Sequence, residues 1–119
     1  MDEIQKNQSN NLFIIWTSDN KDVAMKMVFM YARNGKKHHW WDRIQVIVWG
    51  PSVKLLVQDE ELQGHLQILK DFGVECYACI TCAEMYGASN FLRDLGIEVI
   101  PMGEPVSSML KEGWKSLTF

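Results

Sequence analysis

The sequence predicts an α/β protein with three layers, in which helices cover both faces of a five-stranded, mainly parallel sheet. Short apolar runs alternate along the chain with longer segments of helical periodicity. This is the order of elements in folds built from strand–helix–strand units. The runs are apolar at consecutive positions rather than at every second one. Strands of that kind are buried on both faces and belong to parallel sheets covered by helices.

Five segments have the composition of strands. They are residues 12–17, 44–49, 74–79, 97–100 and 116–119. The first is almost continuously apolar, and the last is the weakest of the set. Their number predicts a five-stranded sheet.

Four segments have the apolar periodicity of helices. They are residues 22–34, 59–72, 83–95 and 105–114. Glycine is common just beyond a helix C-terminus, and Gly73 and Gly96 follow the second and third segments. Pro105 suits the first turn of the fourth. We therefore expect strands and helices to alternate throughout.

The first helical segment carries more apolar surface than a sheet requires. Its inward stripe is predicted to include Met27 and Met30, and Met25 and Phe29 add apolar surface off that stripe. We expect the helix to end at Gly35. The surplus predicts that this helix also contacts another subunit.

Composition and charge disfavour a nucleic-acid partner. The chain of 119 residues has a formal net charge of -3 at pH 7, whereas nucleic-acid binding requires a basic surface. The one basic cluster, residues 36–39, stands beside Trp40 and Trp41. We interpret it as a solvated loop tip. The two tryptophans fit a subunit contact and a lid over the sheet equally well.

The sequence also predicts a cytoplasmic protein without a membrane partner. No apolar run reaches the roughly 18 residues that a membrane span requires, and residues 1–11 lack the apolar core of a signal peptide. We expect a flexible tail at residues 1–10 and a single domain at 11–119. The three cysteines all lie within residues 76–82. Structural disulfides would be spread more widely to close loops.

A ligand site is expected beyond the carboxyl ends of the strands. The loops predicted there are residues 18–20, 50–52, 79–82 and 101–103. The first two lack a glycine-rich phosphate-binding motif, so we interpret them as turns and helix caps. The third contains thiols, and it is therefore the predicted site.

Strand geometry distinguishes the three thiols. Cys79 is predicted at the carboxyl end of its strand, and Cys82 at or next to the start of a helix that begins near Ala83. Free N–H groups at a helix start lower a thiol pKa, so a nucleophilic or sulfur-carrying cysteine is expected here. Because side chains alternate along a strand, Cys76 should point to the opposite face and pack as a small hydrophobe. For Cys82, a partner thiol and a packing residue both remain open.

A metal site is a weaker interpretation of the cysteine run. Its C-x-x-C-x-x-C spacing resembles part of an iron–sulfur motif, but no fourth cysteine follows. A zinc site would need His38, His39 or His65, and strand alternation directs Cys76 away from the other thiols. We expect no metal.

A thioredoxin-like redox pair is another interpretation. Cys79 and Cys82 have the C-x-x-C spacing, but they follow the third predicted strand, and redox motifs of that fold follow the first major strand. A disulfide between the two remains chemically feasible.

Residues 73–87 resemble the central segment of the DsrE/DsrF-like (YchN/TusD) family of small sulfur-relay proteins. The shared features are a Gly-Val opening, a strand, a cysteine at its end and a glycine eight residues later. Cys79 and Gly87 stand at those positions, and Cys82 matches a second cysteine of the YchN-like branch. Residues 115–119 resemble the family's short terminal strand. One departure is Tyr86, which stands where members often have an arginine that steadies a thiolate or persulfide.

The resemblance implies a function and an assembly. Members have an α/β/α fold with a five-stranded parallel sheet and form trimers or hexamers. By analogy, Cys79 carries sulfane sulfur as a persulfide and Cys82 resolves it, in a sulfurtransferase-like carrier that needs no metal or organic cofactor. Its partners would be sulfur donor and acceptor proteins. Two alternatives stay open, namely a non-catalytic small-ligand-binding or scaffolding oligomer and a thiol redox switch through Cys79 and Cys82.

Overall fold

The computed structural model describes residues 9–119, so most of the predicted flexible tail at 1–10 lies outside the described residues. The five strands form one sheet in the order β4-β3-β2-β1-β5, and every neighbouring pair is parallel. The strands are β1 (Asn11–Trp16), β2 (Arg43–Val48), β3 (Glu75–Cys79), β4 (Glu98–Ile100) and β5 (Lys115–Thr118). The predicted strands and the parallel sheet are confirmed, each strand to within one residue.

Six helices connect the strands in the described part of the chain. The first, α1, consists of three continuous segments, Lys21–Val23, Ala24–Phe29 and Met30–Lys37, of which the middle one is π-helical. The others are α2 (Pro51–Gln58), α3 (Glu60–Asp71), α4 (Ile80–Met85), α5 (Ser89–Asp94) and α6 (Gly103–Lys111). None of the described helices has the length and apolarity needed to cross a bilayer.

The inward face of α1 differs from the prediction. Met27 and Met30 are 46% and 54% exposed, whereas Val28 and Phe29 are buried. In a π-helical segment the hydrogen bonds run from residue i to i+5, so each turn contains more residues than an α-helical turn. The inward stripe is therefore shifted relative to the α-helical periodicity that predicted it.

Gly35 does not end α1, contrary to the prediction. It lies inside the helix and is buried. A Cβ atom at this position would lie 2.8 Å from Cδ1 of Ile44 and 3.3 Å from Cδ1 of Trp41. Glycine is thus needed for close packing, and the left-handed residue beyond the helix is His39, with φ 57°.

Two further differences concern helices near the carboxyl edge of the sheet. The predicted helix at 83–95 is two helices, separated at Gly87, which has φ 63°. The N–H of Ala88 donates to the carbonyl of Ala83 at 2.7 Å, which is the closing bond of a Schellman C-terminal motif. Helix α2 was not predicted, although Pro51 occupies its first turn, where proline is well tolerated.

The remaining predicted helices are confirmed with shifted ends. Helix α3 begins after Asp59, whose side chain accepts a hydrogen bond from the N–H of Leu62 at 3.0 Å. Helix α6 begins before Pro105 and ends before Trp114.

The two faces of the sheet are covered unequally. From β1 to β4 the chain always steps to the next strand in the same direction, and it then returns across the sheet to β5. Because crossovers between parallel strands are right-handed, α1 to α5 fall on one face and α6 on the other. We call these the five-helix face and the one-helix face.

The core is accordingly divided into two clusters. The larger lies under the five-helix face and includes Trp16, Val46, Leu66 and Cys76. The smaller lies under the one-helix face. Its buried members are Phe13, Ile47, Cys79, Met102, Met109 and Trp114.

Candidate functional site

Cys79 lies where β3 runs directly into α4. It is the last residue of the strand and the N-cap residue of the helix, with extended backbone angles, and its side chain makes no capping hydrogen bond. Helix α4 begins at Ile80, so the predicted start near Ala83 is wrong. The helix is six residues long, and its effect on a thiol is therefore limited to the free N–H groups of its first turn.

The Cys79 side chain is held in apolar surroundings on the one-helix face. It is 7% exposed and belongs to the same cluster as Met102 and Met109 of the α6 region. Its neighbour across the sheet is Ile100 of β4. Helix α6 and the segment before it thus contribute to the apolar cluster in which the thiol is buried.

Cys82 is the third residue of α4 and is half-buried. It packs against both core clusters. Cys82 is therefore more accessible than Cys79, and it lies at the junction between the two clusters. The structure places both predicted site residues on the same strand-to-helix connection.

Cys76 is separated from these two thiols, as strand alternation predicts. It belongs to the cluster of the five-helix face, and its Sγ lies 3.9 Å from the carbonyl oxygen of Val74. Burial raises the pKa of the Cys76 thiol to about 12. Since the thiolate is the reactive form, Cys76 is inert near neutral pH.

The described residues offer no metal site. All three cysteines are free thiols, and no group of three or more His, Cys, Asp or Glu side chains between residues 9 and 119 could hold a metal ion.

Ser52 secures the carboxyl edge of the sheet next to the site. Its buried hydroxyl donates to the carbonyl oxygen of Trp16 and accepts a hydrogen bond from the N–H of Trp49 at 3.2 Å. It therefore ties the ends of β1 and β2 together. From the sequence, this loop was predicted to be a turn or a helix cap. The serine directly after Gly50 and Pro51 was the one indication in the sequence that the loop has a further role.

Met102 is the other residue near the site that was not predicted from the sequence. It is 1% exposed and packs in the cluster that contains Cys79. The sequence placed it in a loop at the carboxyl edge, but gave no indication that it covers the thiol.

Comparison with known proteins supplies the wider context. A family model described as DsrE/DsrF-like matches residues 10–119. No curated protein matches the chain significantly.

The solved structures that resemble this fold include two proteins of unknown function. A conserved protein of unknown function from Bacteroides thetaiotaomicron, BT1422, is 40% identical, with a TM-score of 0.89 over 92% of this chain and 95% of that chain. A protein of unknown function from Methanobacterium thermoautotrophicum, MTH1491, is 21% identical, with a TM-score of 0.61 over 92% of this chain and 98% of that chain. The second likeness concerns the fold alone.

Proposed function

Since the chain belongs to the DsrE/DsrF-like family, we propose that it is a sulfur-relay protein that carries sulfane sulfur as a persulfide on Cys79. The observation that supports this most is the position of Cys79, at the carboxyl end of β3 and directly before α4. Cys76, by contrast, has a raised thiol pKa and lies on the other face of the sheet.

The proposed chemistry transfers one sulfur atom without net oxidation. The Cys79 thiolate attacks the outer sulfur of a donor persulfide, so that a new sulfur–sulfur bond forms at Cys79 and the donor leaves as a thiolate. An acceptor nucleophile then attacks the outer sulfur, and Cys79 leaves as the thiolate. Neither step requires a metal or an organic cofactor.

The apolar cover over Cys79 bears on both steps. A persulfide in the apolar cluster that contains Met102 and Met109 is shielded from water and from stray thiols. The same cluster leaves Cys79 only 7% exposed, so a movement that exposes the sulfur to its donor is required. Cys82 is half-buried and lies at the edge of this cover, which suits a thiol that resolves the persulfide.

The partners and the location belong to the same proposal. We infer sulfur donor and acceptor proteins, a homo-oligomer, and a cytoplasmic location in which thiols stay reduced. Exposed apolar side chains on α1 and at the end of α3 support self-association. They are Met27, Met30, Ile68 and Phe72. A single monomeric species in light scattering at micromolar concentration would contradict the trimer or hexamer.

Mass spectrometry of the intact protein tests the sulfur carrier. Reduced protein is incubated with inorganic polysulfide, and a mass gain of about one sulfur atom is expected. The gain should disappear in Cys79→Ala and persist in Cys76→Ala, which is the matched control on the same strand. Loading confined to Cys82, or no loading at all, would contradict the assignment and favour a non-catalytic ligand-binding or scaffolding oligomer.

A thiol redox switch is the second candidate, because Cys79 and Cys82 flank the first turn of α4 and are both free. The switch predicts that a mild oxidant such as diamide removes two hydrogen masses from the wild type but not from Cys82→Ser. It also predicts no gain of sulfur from polysulfide. The two mass changes have opposite signs, so one instrument separates the candidates.

A further inference from the structure

A small pocket lies between α2 and the turn that joins α4 to α5. Its volume is about 190 Å³, and it is lined by Lys54, Val57, Gln58, Tyr86 and Ala88. The α2 residues stand at positions i, i+3 and i+4, so they share one face of that helix. Ala88 is 2% exposed and forms part of the apolar base of the pocket together with Val57.

The polar groups of the lining are suited to an anion. Lys54 brings an ammonium group, Gln58 a carboxamide and Tyr86 a phenol, and each of these can donate a hydrogen bond. None of the lining residues is a carboxylate. Lys54 takes part in none of the ion pairs found among residues 9–119, so its charge is available to a ligand.

Neighbouring carboxylates do not neutralise the positive charge of Lys54. Asp59 follows Gln58 in sequence, but its carboxylate pairs with Lys21 at 3.0 Å and accepts a hydrogen bond from the N–H of Leu62. Glu84 is exposed and lies outside the pocket lining.

The volume limits the size of the ligand. About 190 Å³ is roughly six times the 30 Å³ that one water molecule occupies in the liquid. It is below the roughly 300 Å³ at which sites for drug-sized ligands begin. A tetrahedral oxyanion with a few waters fits this space.

The pocket adjoins the end of α4. Tyr86 is the C-cap residue of that helix, and its N–H donates to the Cys82 carbonyl at 3.2 Å. This hydrogen bond fixes the backbone of Tyr86 where its side chain lines the pocket.

We propose that this pocket binds a small inorganic oxyanion, with Lys54 as its charge partner and Gln58 and Tyr86 as hydrogen-bond donors. The proposed oxyanion site depends only on the residues that line the pocket, and it does not require Cys79 to carry sulfur. Sulfate and phosphate share the chemistry that it recognises, and a planar carboxylate such as acetate is the contrasting ligand.

Nuclear magnetic resonance titration of the full chain tests the site. Sodium sulfate, sodium phosphate and sodium acetate are added separately to ¹⁵N-labelled protein, with ionic strength held constant by sodium chloride. We expect saturable shifts from sulfate or phosphate that are grouped on the end of α2 and on residues 86–88. The relative affinity for sulfate and phosphate identifies the preferred source. Linear shifts, shifts scattered over other lysines or tighter binding of acetate would each overturn the proposal.

Two variants and a control sharpen the test. Lys54→Met should weaken oxyanion binding at least about tenfold, because it removes a charged hydrogen-bond donor, and Tyr86→Phe should weaken it less. Lys37→Met, at an exposed lysine beyond the pocket, should bind as the wild type does. Unchanged oxyanion affinity in Lys54→Met would refute the site even if Cys79 carries sulfur.

Discussion

Cys76 and Cys79 lie on the same strand and are each 7% exposed, yet their surroundings differ because the two faces of the sheet are built differently. Cys76 packs in the cluster of the five-helix face, and burial raises the pKa of its thiol. Cys79 lies on the face that one helix covers, at the edge where β3 meets α4. The comparison teaches that the exposed fraction of a thiol does not by itself indicate its reactivity, because the surroundings that bury the thiol also decide its protonation.

Truncation of one core side chain on each face tests this difference between the faces with the largest expected effect on stability. Leu66→Ala, on the five-helix face, should lower the free energy of unfolding by about 3 kcal/mol, since it leaves a cavity in a tightly packed cluster. Met109→Ala, on α6, should cost less, about 2 kcal/mol, because a single covering helix can relax into the space. Urea denaturation measures both. Met30→Ala, at a side chain that is 54% exposed, is the control and should change stability by less than about 0.5 kcal/mol. Equal losses in the two core variants would contradict the difference between the faces.

The reactivity of the two thiols sharpens the comparison. At about pH 8, we expect iodoacetamide to alkylate Cys79 about a hundredfold faster than Cys76, because the raised pKa of Cys76, about 12, keeps that thiol protonated. Its slow rate should therefore rise about tenfold per pH unit up to that value. Peptide mass spectrometry measures both rates. Met109→Ala should accelerate alkylation of Cys79 alone, and equal acceleration of Cys76 would refute a cover specific to Cys79.

An ion pair next to α6 gives a smaller effect with a defined pH dependence. Arg43 forms two hydrogen bonds with the Glu75 carboxylate, at 2.8 and 2.9 Å, and lies over the Trp114 ring at 4.9 Å. Hydrogen bonding to Arg43 lowers the pKa of Glu75 below its ordinary value of 4.5. The stabilisation is therefore complete above that ordinary value and is lost as the pH falls through the lowered one.

Glu75→Gln tests this pair. The variant should lose about 1 kcal/mol of stability at neutral pH, as a well-formed partly exposed pair does. The difference from the wild type should vanish in acid. Chemical denaturation at several pH values measures it, with Glu98→Gln, an exposed glutamate on β4, as the control. A difference that persists in acid would show that the charge of Glu75 is not responsible.

Substitutions of two glycines on the five-helix side should have the smallest effects on stability, and the two effects should have opposite signs. Gly87 has φ 63°, so Gly87→Ala should destabilise the protein by about 1 kcal/mol even though a Cβ there meets nothing. Gly64 lies within α3 and also has open space around it. Gly64→Ala should therefore stabilise the protein by about 0.5 to 1 kcal/mol. Thermal unfolding measures both, and a stabilising Gly87→Ala would contradict the left-handed turn.

The strands and the place of Cys79 at the end of β3 were predictable because they depend on local sequence. A continuous apolar run such as β1 is buried on both faces wherever it lies in a sheet. Alternation along β3 alone separates Cys76 from Cys79. The resemblance around Cys79 and Gly87 concerned fifteen consecutive residues, and the family match over residues 10–119 confirms it.

The failures concern helix ends and one helix face, where close packing and local backbone geometry depart from simple apolar periodicity. Gly35 resembled a helix end, but it is required where Ile44 and Trp41 approach α1. The inward stripe of α1 was misassigned because the middle of this helix is π-helical, which periodicity does not reveal. Gly87 was taken as helical, although it adopts the turn that divides the predicted helix.

The order of apolar and polar residues thus determined the fold class, the parallel sheet and the strand end that holds Cys79, because burial of a strand follows from its own composition. The surroundings of Cys79 were decided by tertiary structure. The single return crossover from β4 to β5 places α6 on the face of the sheet to which Cys79 belongs, and Met102 and Met109 are members of the cluster that buries it. The course of that crossover depends on the order of all five strands, which no local segment of the sequence encodes.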